Sequence, residues 1–293
     1  NIRLNKNTGE WDFDVLANSF EMDDLLEWGF SHDELQYDAI SFEEENIPDD
    51  VEPQIAKAEE LRVKWGVETG QIWKLGEHRL VCGDCRDDLI ISRLMHGENA
   101  VAMWTDPPCG VDYVGKTKDA LTIENDGADG LQQLLSGAFL TADSILDDGS
   151  PLYVAHPAGA LQMIFNKCFT DVGWKFHETL VWVKDSMVLG HSDYHYKHEP
   201  IIYGWKGKNR KWYAGRDQVS VFEIPRPKRS ELHPTMKPPE LVEAMLKNST
   251  KKDDIVYEPF SGSGTTIIAC ERLNRKCRAC EISPAYVAVA IQR

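Results

Sequence analysis

Two short stretches of this 293-residue chain combine residue types in a way that suits chemistry. The first is "TDPPCG" (105–110). Proline fixes its own backbone and has no N–H, so Pro107 and Pro108 behind Asp106 make a rigid loop built to hold something. The second is "YEPFSGSGTT" (257–266), which follows a predicted strand and opens a predicted helix. There Gly262 and Gly264 let the backbone approach a ligand, and the helix start offers unpaired N–H groups. Glu281 ends the next predicted strand about 17 residues after Gly264, the spacing of a ribose-binding acid. No Lys follows the second glycine, so this is not a Walker loop, and the third glycine of G-x-G-x-x-G is missing. The pattern fits a nucleoside cofactor held without a phosphate cradle; its purely structural alternative is a tight strand–helix turn.

Both stretches need a scaffold that brings strand ends together. From residue 71 onward, short apolar runs end in polar, Gly or Pro residues: "HRLVCGD", "AVAMWTDPP", "SPLYVAHP" and "DIVYEPF". Helical patterns lie among them, as in "PPELVEAMLKNS", "GTTIIACERLN" and "SPAYVAVAIQR", the last with a Ser cap and Pro in its first turn. "HETLVWVK" and "HEPIIYGWK" read as an antiparallel hairpin. The alternation predicts an α/β fold, a Rossmann-like doubly wound sheet of about seven strands that includes the hairpin. Residues 1–66 read as an acidic N-terminal segment and linker, with two short helices expected around "MDDLLEWGFSHDEL", and 67–293 as one domain. Asn1 is not an initiator methionine, so the chain reads as a fragment or processed product.

Charge is unevenly spread. The net charge is −16, yet residues 1–60 hold 18 Asp/Glu against 3 Lys/Arg, which leaves the remainder almost neutral. Residues 184–230 reverse the sign, with 10 Lys/Arg against 5 Asp/Glu and several aromatics among them. Cations interleaved with aromatics suit phosphates and unstacked bases. Lys208, Arg210, Lys211 and Arg216 are the candidate DNA contacts. The acidic segment reads as a solvated connector, or as a phosphate mimic covering the basic stretch. Seven cysteines without a secretory signal point to reduced thiols and a cytoplasmic protein. The pairs "CGDC" (82–85) and "CRAC" (277–280) overlap strand ends, where residues three apart face opposite ways, so no metal is expected.

Taken together, "EPFSGSGTT", "TDPPCG" and "HPTMKP" (233–238) resemble the cofactor loop, catalytic loop and pre-strand motif of DNA amino-methyltransferases. Those enzymes methylate adenine N6 or cytosine N4 with S-adenosyl-L-methionine. The catalytic loop precedes the cofactor loop, as in the family's circularly permuted β group. The resemblance covers roughly 70–293 and implies a role for each matching residue. Phe260, Gly262 and Gly264 would wrap the methionine end of the cofactor. Glu281 would bind its ribose and Asp84 would reach its adenine. Thr235 and Lys237 would flank the methionine pocket, and Thr105 would join this set. Asp106, Pro107 and Pro108 would face a flipped base, with 184–232 as hairpin and target-recognition region. Glu258 stands where the family commonly has Asp. More weakly, 1–66 resembles the segment that joins a ParB-like domain to such enzymes, which implies such a domain in the full-length protein. A homodimer and an accompanying restriction enzyme are left open.

Cys109 departs from the family, whose loop ends in a stacking aromatic at that position. Loss of a stacking face costs about 1–3 kcal/mol per base. Three readings follow. Tyr113 or another aromatic supplies the stack; the chain is a catalytically degenerate nucleic-acid-binding module; or Cys109 is a nucleophile. The last would be cytosine-C5 chemistry, where a thiolate attacks C6, and "PPC" is similar to the Pro-Cys of C5 methyltransferases. No Glu-Asn-Val motif accompanies it. A nicotinamide-dependent oxidoreductase fits less well, since "TDPPCG" has no role in hydride transfer. If the glycine loop holds the cofactor, Gly262→Val places a β-branched side chain where the backbone must meet the ligand. Calorimetry on the folded variant should then show no S-adenosylmethionine binding.

Overall fold

The computed structural model describes residues 52–108, 128–188, 193–225 and 237–293. Glu52–Arg293 forms one packed unit. The proposed helices around "MDDLLEWGFSHDEL", together with Cys109, Tyr113 and Thr235, lie outside the described residues.

Nine strands among the described residues form one sheet in the order β1-β2-β9-β8-β3-β4-β6-β5-β7. β2 (His78–Cys82), β3 (Ala102–Thr105), β4 (Pro151–Ala155), β8 (Ile255–Glu258) and β9 (Lys276–Glu281) are mutually parallel. Their residues are almost all buried, which is why they read as near-continuous apolar runs. β5 (Lys175–Val188) and β6 (Tyr196–Trp205) form the expected antiparallel hairpin, with β6 laid antiparallel on β4. The two strands beyond the expected seven are short and lie at the sheet edges. β1 (Ile72–Leu75) turns back onto β2, and β7 (Val221–Glu223) runs parallel to β5. Neither has the length or apolar run that marks a strand in sequence.

Strand alternation sends side chains to two cores. Leu80, Trp104, Tyr153, Leu180 and Ile201 meet α5 (Pro239–Ser249), α6 (Thr265–Arg272) and α7 (Pro284–Gln292) on one face. Val81, Met103, Val154, Tyr257 and Cys280 meet α2 (Asp88–Met95), α3 (Ala128–Ile145) and α4 (Gln162–Asp171) on the other. Helices on both faces make the sheet doubly wound. Ser283 caps α7 as its sequence suggests, accepting from the Tyr286 N–H, with Pro284 at the start. Helix α1 (Glu52–Trp65) was not anticipated; it occupies the stretch read as linker and packs on α7, where Lys64 Nζ donates to Gln292 Oε1 at 2.7 Å. Its sequence, EPQIAKAEELRVKW, has too few apolar residues to announce a helix. The six described cysteines are free and buried. No group of three metal-ligating side chains occurs among the described residues, nor does any of their helices have the length and apolarity to cross a membrane.

The hairpin depends on close backbone approach at Gly204, which pairs with Phe176. A Cβ there would stand 2.1 Å from the Lys175 carbonyl oxygen and 2.9 Å from the Phe169 ring. Both neighbours are fixed, one by strand pairing and one by full burial. Gly204→Ala should therefore destabilise the protein by about 3 kcal/mol, the upper range for overpacking. Urea unfolding should show it as a lower midpoint.

Candidate functional site

The parallel strands end on one edge, and the chain winds in opposite directions on the two sides of β8 and β3. β8 leads through α6 to β9, whereas β3 leads through α3 to β4. The crevice between β8 and β3 is thus a topological switch point, the place where such sheets bind ligands. Both stretches singled out by sequence emerge there. Thr105 is the last residue of β3 and Glu258 the last of β8.

Glu258 joins them. It is only 1% exposed. Oε1 accepts from Thr105 Oγ1 at 2.7 Å and from the Phe260 N–H at 3.0 Å, and Oε2 accepts from Thr266 Oγ1 at 2.7 Å. Burial pushes this carboxyl up to about 8, against the pull of those donors. The glycine loop between β8 and α6 is tied to β9 in the same manner. Glu281 accepts from the Gly262 N–H at 2.8 Å and from the Ser283 N–H at 2.8 Å, while burial raises its pKa. Gly262 has φ +52° and no atom within 4 Å of where a Cβ would stand, so this part of the loop faces open space. A ligand approaching the loop has room there, and the residues fit a nucleoside cofactor. Gly264 answers a different need: at φ +85° its missing Cβ would lie 3.0 Å from Ala290 of α7. Asp84 follows β2 on the same edge, gripped by Arg86 through Nε at 3.0 and 3.1 Å and Nη2 at 2.7 Å. Those bonds hold its carboxyl below the usual range.

Asp106 leads the Asp-Pro-Pro loop away from β3, followed by a buried Pro107 and an exposed Pro108. Its Oδ2 accepts from Lys237 Nζ at 2.6 Å. Lys237, expected beside the cofactor's methionine end, is held between Asp106 and Glu199, whose Oε2 is 2.9 Å away. Burial works against the ammonium, but the two carboxylates outweigh it and raise the lysine's pKa. Glu199 in turn pairs with Lys184. Sequence reading missed Glu199 and Lys184. Sequence offers little signal for either, since Asp185 adjoins Lys184, Lys197 lies two residues from Glu199, and the pairing is made across strands.

Lys208, Arg210, Lys211 and Arg216 are not brought to this edge. β6 runs antiparallel to β4 and ends with Trp205 opposite Pro151, the first residue of β4, so the segment after it leaves from the other edge. Lys211 Nζ lies 3.4 Å from Asp147 there, and the Arg210 guanidinium stands 5.6 Å from the Trp205 ring centre. Arg210 and Arg216 line a cavity of about 270 Å³ with Glu178, Tyr203, Trp212 and Phe222. Positive charge was legible in sequence; which end of the sheet receives it depends on strand direction.

The Glu258 carboxyl yields a pH prediction. The folded state keeps a proton that the unfolded chain gives up in the ordinary carboxylate range. The resulting stability is complete below that range and is lost as pH rises to about 8. Thermal melts should fall across this window, and Glu258→Gln, neutral throughout and still able to bond both threonines, should flatten the slope.

The chain's similarities agree with this geometry. Residues 102–292 match the N6/N4 methyltransferase family model, described as DNA methylase. Type II methyltransferase M.XycI of Xanthomonas campestris pv. cyanopsidis is 31% identical over 136 residues, covering 42% of this chain and 45% of that protein. M.HpaI of Haemophilus parainfluenzae is 26% identical over 243 residues and 74% of each. The chain thus spans less than half of one relative and about three quarters of the other. Among solved structures, the M1.HpyAVI–SAM complex superposes with TM-score 0.56 at 20% identity, over 73% of this chain and 98% of that one. The chain belongs to the N6-adenine and N4-cytosine DNA methylase family, whose members take their methyl group from S-adenosylmethionine.

Proposed function

We propose that this chain methylates the exocyclic amine of a base flipped out of DNA, adenine N6 or cytosine N4. One observation carries the reading: the Asp106 loop and the glycine loop meet at the switch point, joined through Glu258. Phe260, Gly262 and Glu281 would hold the cofactor, with Asp84 at its adenine end. The bound sulfonium supplies an already activated methyl group. The protein's share is therefore largely placement. A base stacked in a duplex is out of reach, so it must swing into the crevice. Asp106 has one oxygen engaged by Lys237 and presents the other to the amine. The acceptor orients the amine's lone pair toward the methyl carbon. With the cofactor held there, its methyl carbon would pass to the amine nitrogen, the S–C bond breaking as the N–C bond forms, and the nitrogen would release one proton to solvent. Lys208, Arg210, Lys211 and Arg216 are assigned to DNA backbone away from the flipped base, since they lie toward the other edge.

A second reading, cytosine-C5 transfer through Cys109, rests on the Pro108-Cys109 dipeptide. Two measurements decide between them. Nucleoside mass spectrometry of DNA from expressing cells should show N6-methyladenine or N4-methylcytosine, and Asp106→Ala should abolish it while leaving cofactor binding intact. Cys109→Ser should keep much of the activity, and DNA carrying 5-fluorocytosine should form no covalent adduct on a denaturing gel. An adduct that disappears in Cys109→Ser would instead establish C5 chemistry.

A further inference from the structure

Alternate residues of a strand share a face, and on one face of the hairpin Lys184 and Glu199 lead toward the catalytic loop. Lys184 of β5 is buried and paired with Glu199 of β6. Glu199 Oε2 is 2.9 Å from Lys237 Nζ, and the same nitrogen donates to Asp106 Oδ2 at 2.6 Å. Four charges of alternating sign thus run from the hairpin, through the segment before α5, to the catalytic loop. The hairpin end is anchored. The Lys184 ammonium stands 5.5 Å from the Trp182 ring centre, and Trp182 Nε1 donates to the Ile224 carbonyl at 2.7 Å.

A lysine ammonium is a point charge on a flexible stem with three rotatable donors. Bound to Asp106 alone, it would fix a distance but not a direction. Glu199 takes a second donor of the same ammonium, and Lys184 pairs with Glu199. We propose that Glu199 and Lys184 are positioning residues for methyl transfer, holding Lys237 in the one place from which it aims Asp106 at the target amine. The assignment rests on the amino-methyltransferase reading. It places control of the Asp106 acceptor in the hairpin rather than in the cofactor loop.

The test uses the full chain, S-adenosylmethionine and DNA containing the methylated site. Glu199→Gln should lower kcat by about 10- to 100-fold, the scale of a small misplacement at a reacting centre. KM for DNA and the calorimetric Kd for the cofactor should stay unchanged. Glu199→Asp keeps the charge one methylene short and should fall between. Because Glu199→Gln leaves Lys184 buried without its carboxylate, the double variant Lys184→Gln/Glu199→Gln guards against simple misfolding. It should melt higher than the single variant yet remain as slow. A wild-type chain that methylates no DNA overturns the enzyme reading and this assignment together. With an active wild type, unchanged kcat in Glu199→Gln overturns the assignment alone. So does recovery of kcat in the double variant, or a weaker cofactor Kd accompanying the slower rate, which would return Lys237 to the cofactor pocket.

Discussion

The Glu258 carboxyl is the contact on which the rest of the site depends. It ends β8 at the middle of the sheet and takes hydrogen bonds from the end of β3, from the glycine loop and from the first turn of α6. Backbone pairing between β3 and β8 sets the spacing of two strands, but it does not set the loops that leave them. Glu258 does, because one group with two oxygens bonds all three segments. Neutrality suits it to the role. An ionised carboxylate at such depth would be costly, whereas a protonated one exchanges hydrogen bonds with two hydroxyls and an N–H. One buried carboxyl therefore joins the site's loops and has its pKa raised by the same burial.

Around that junction the fold divides its electrostatics. Glu281 and Asp84 are engaged by backbone N–H groups and by Arg86. Asp106 is engaged by a side-chain cation that belongs to an extended pairing with Glu199 and Lys184 of the hairpin. Under the proposed function, the preset backbone would suit a cofactor of fixed shape and charge, and an aim set by side chains would suit an acceptor for a swinging base.

Much of this was legible in sequence. The strand–helix alternation, the β5–β6 hairpin, the cap of α7 and both loops at strand ends follow from local rules, since period, capping and turn chemistry act over a few residues. The Glu199–Lys184 pair was hidden because it is made across strands and depends on which residues face which way. Lys237 was placed beside the cofactor by motif, and its partners, from the loop after β3 and from β6, are joined only by the fold. The basic segment was recognised by composition, yet its edge of the sheet follows from the antiparallel return of β6. Helix α1 and strands β1 and β7 lack the apolar periodicity that marks an element, and tertiary packing holds them.

The strand order has a consequence for how the chain reaches this state. β2 and β3 are successive in sequence, yet β9 and β8 lie between them in the sheet. Until residues 255–281 have been made, a growing chain has no strand to join its early half across the centre. The inner edges of β2 and β3 stay open, lined by unpaired backbone and the apolar side chains that later form both cores. Such non-local pairing is slow to form and leaves sticky intermediates. Synthesis halted before β8 would leave β2 and β3 unjoined rather than produce a smaller domain, and the glycine loop, made between the two strands that fill the gap, would close the sheet and the switch-point crevice in the same step.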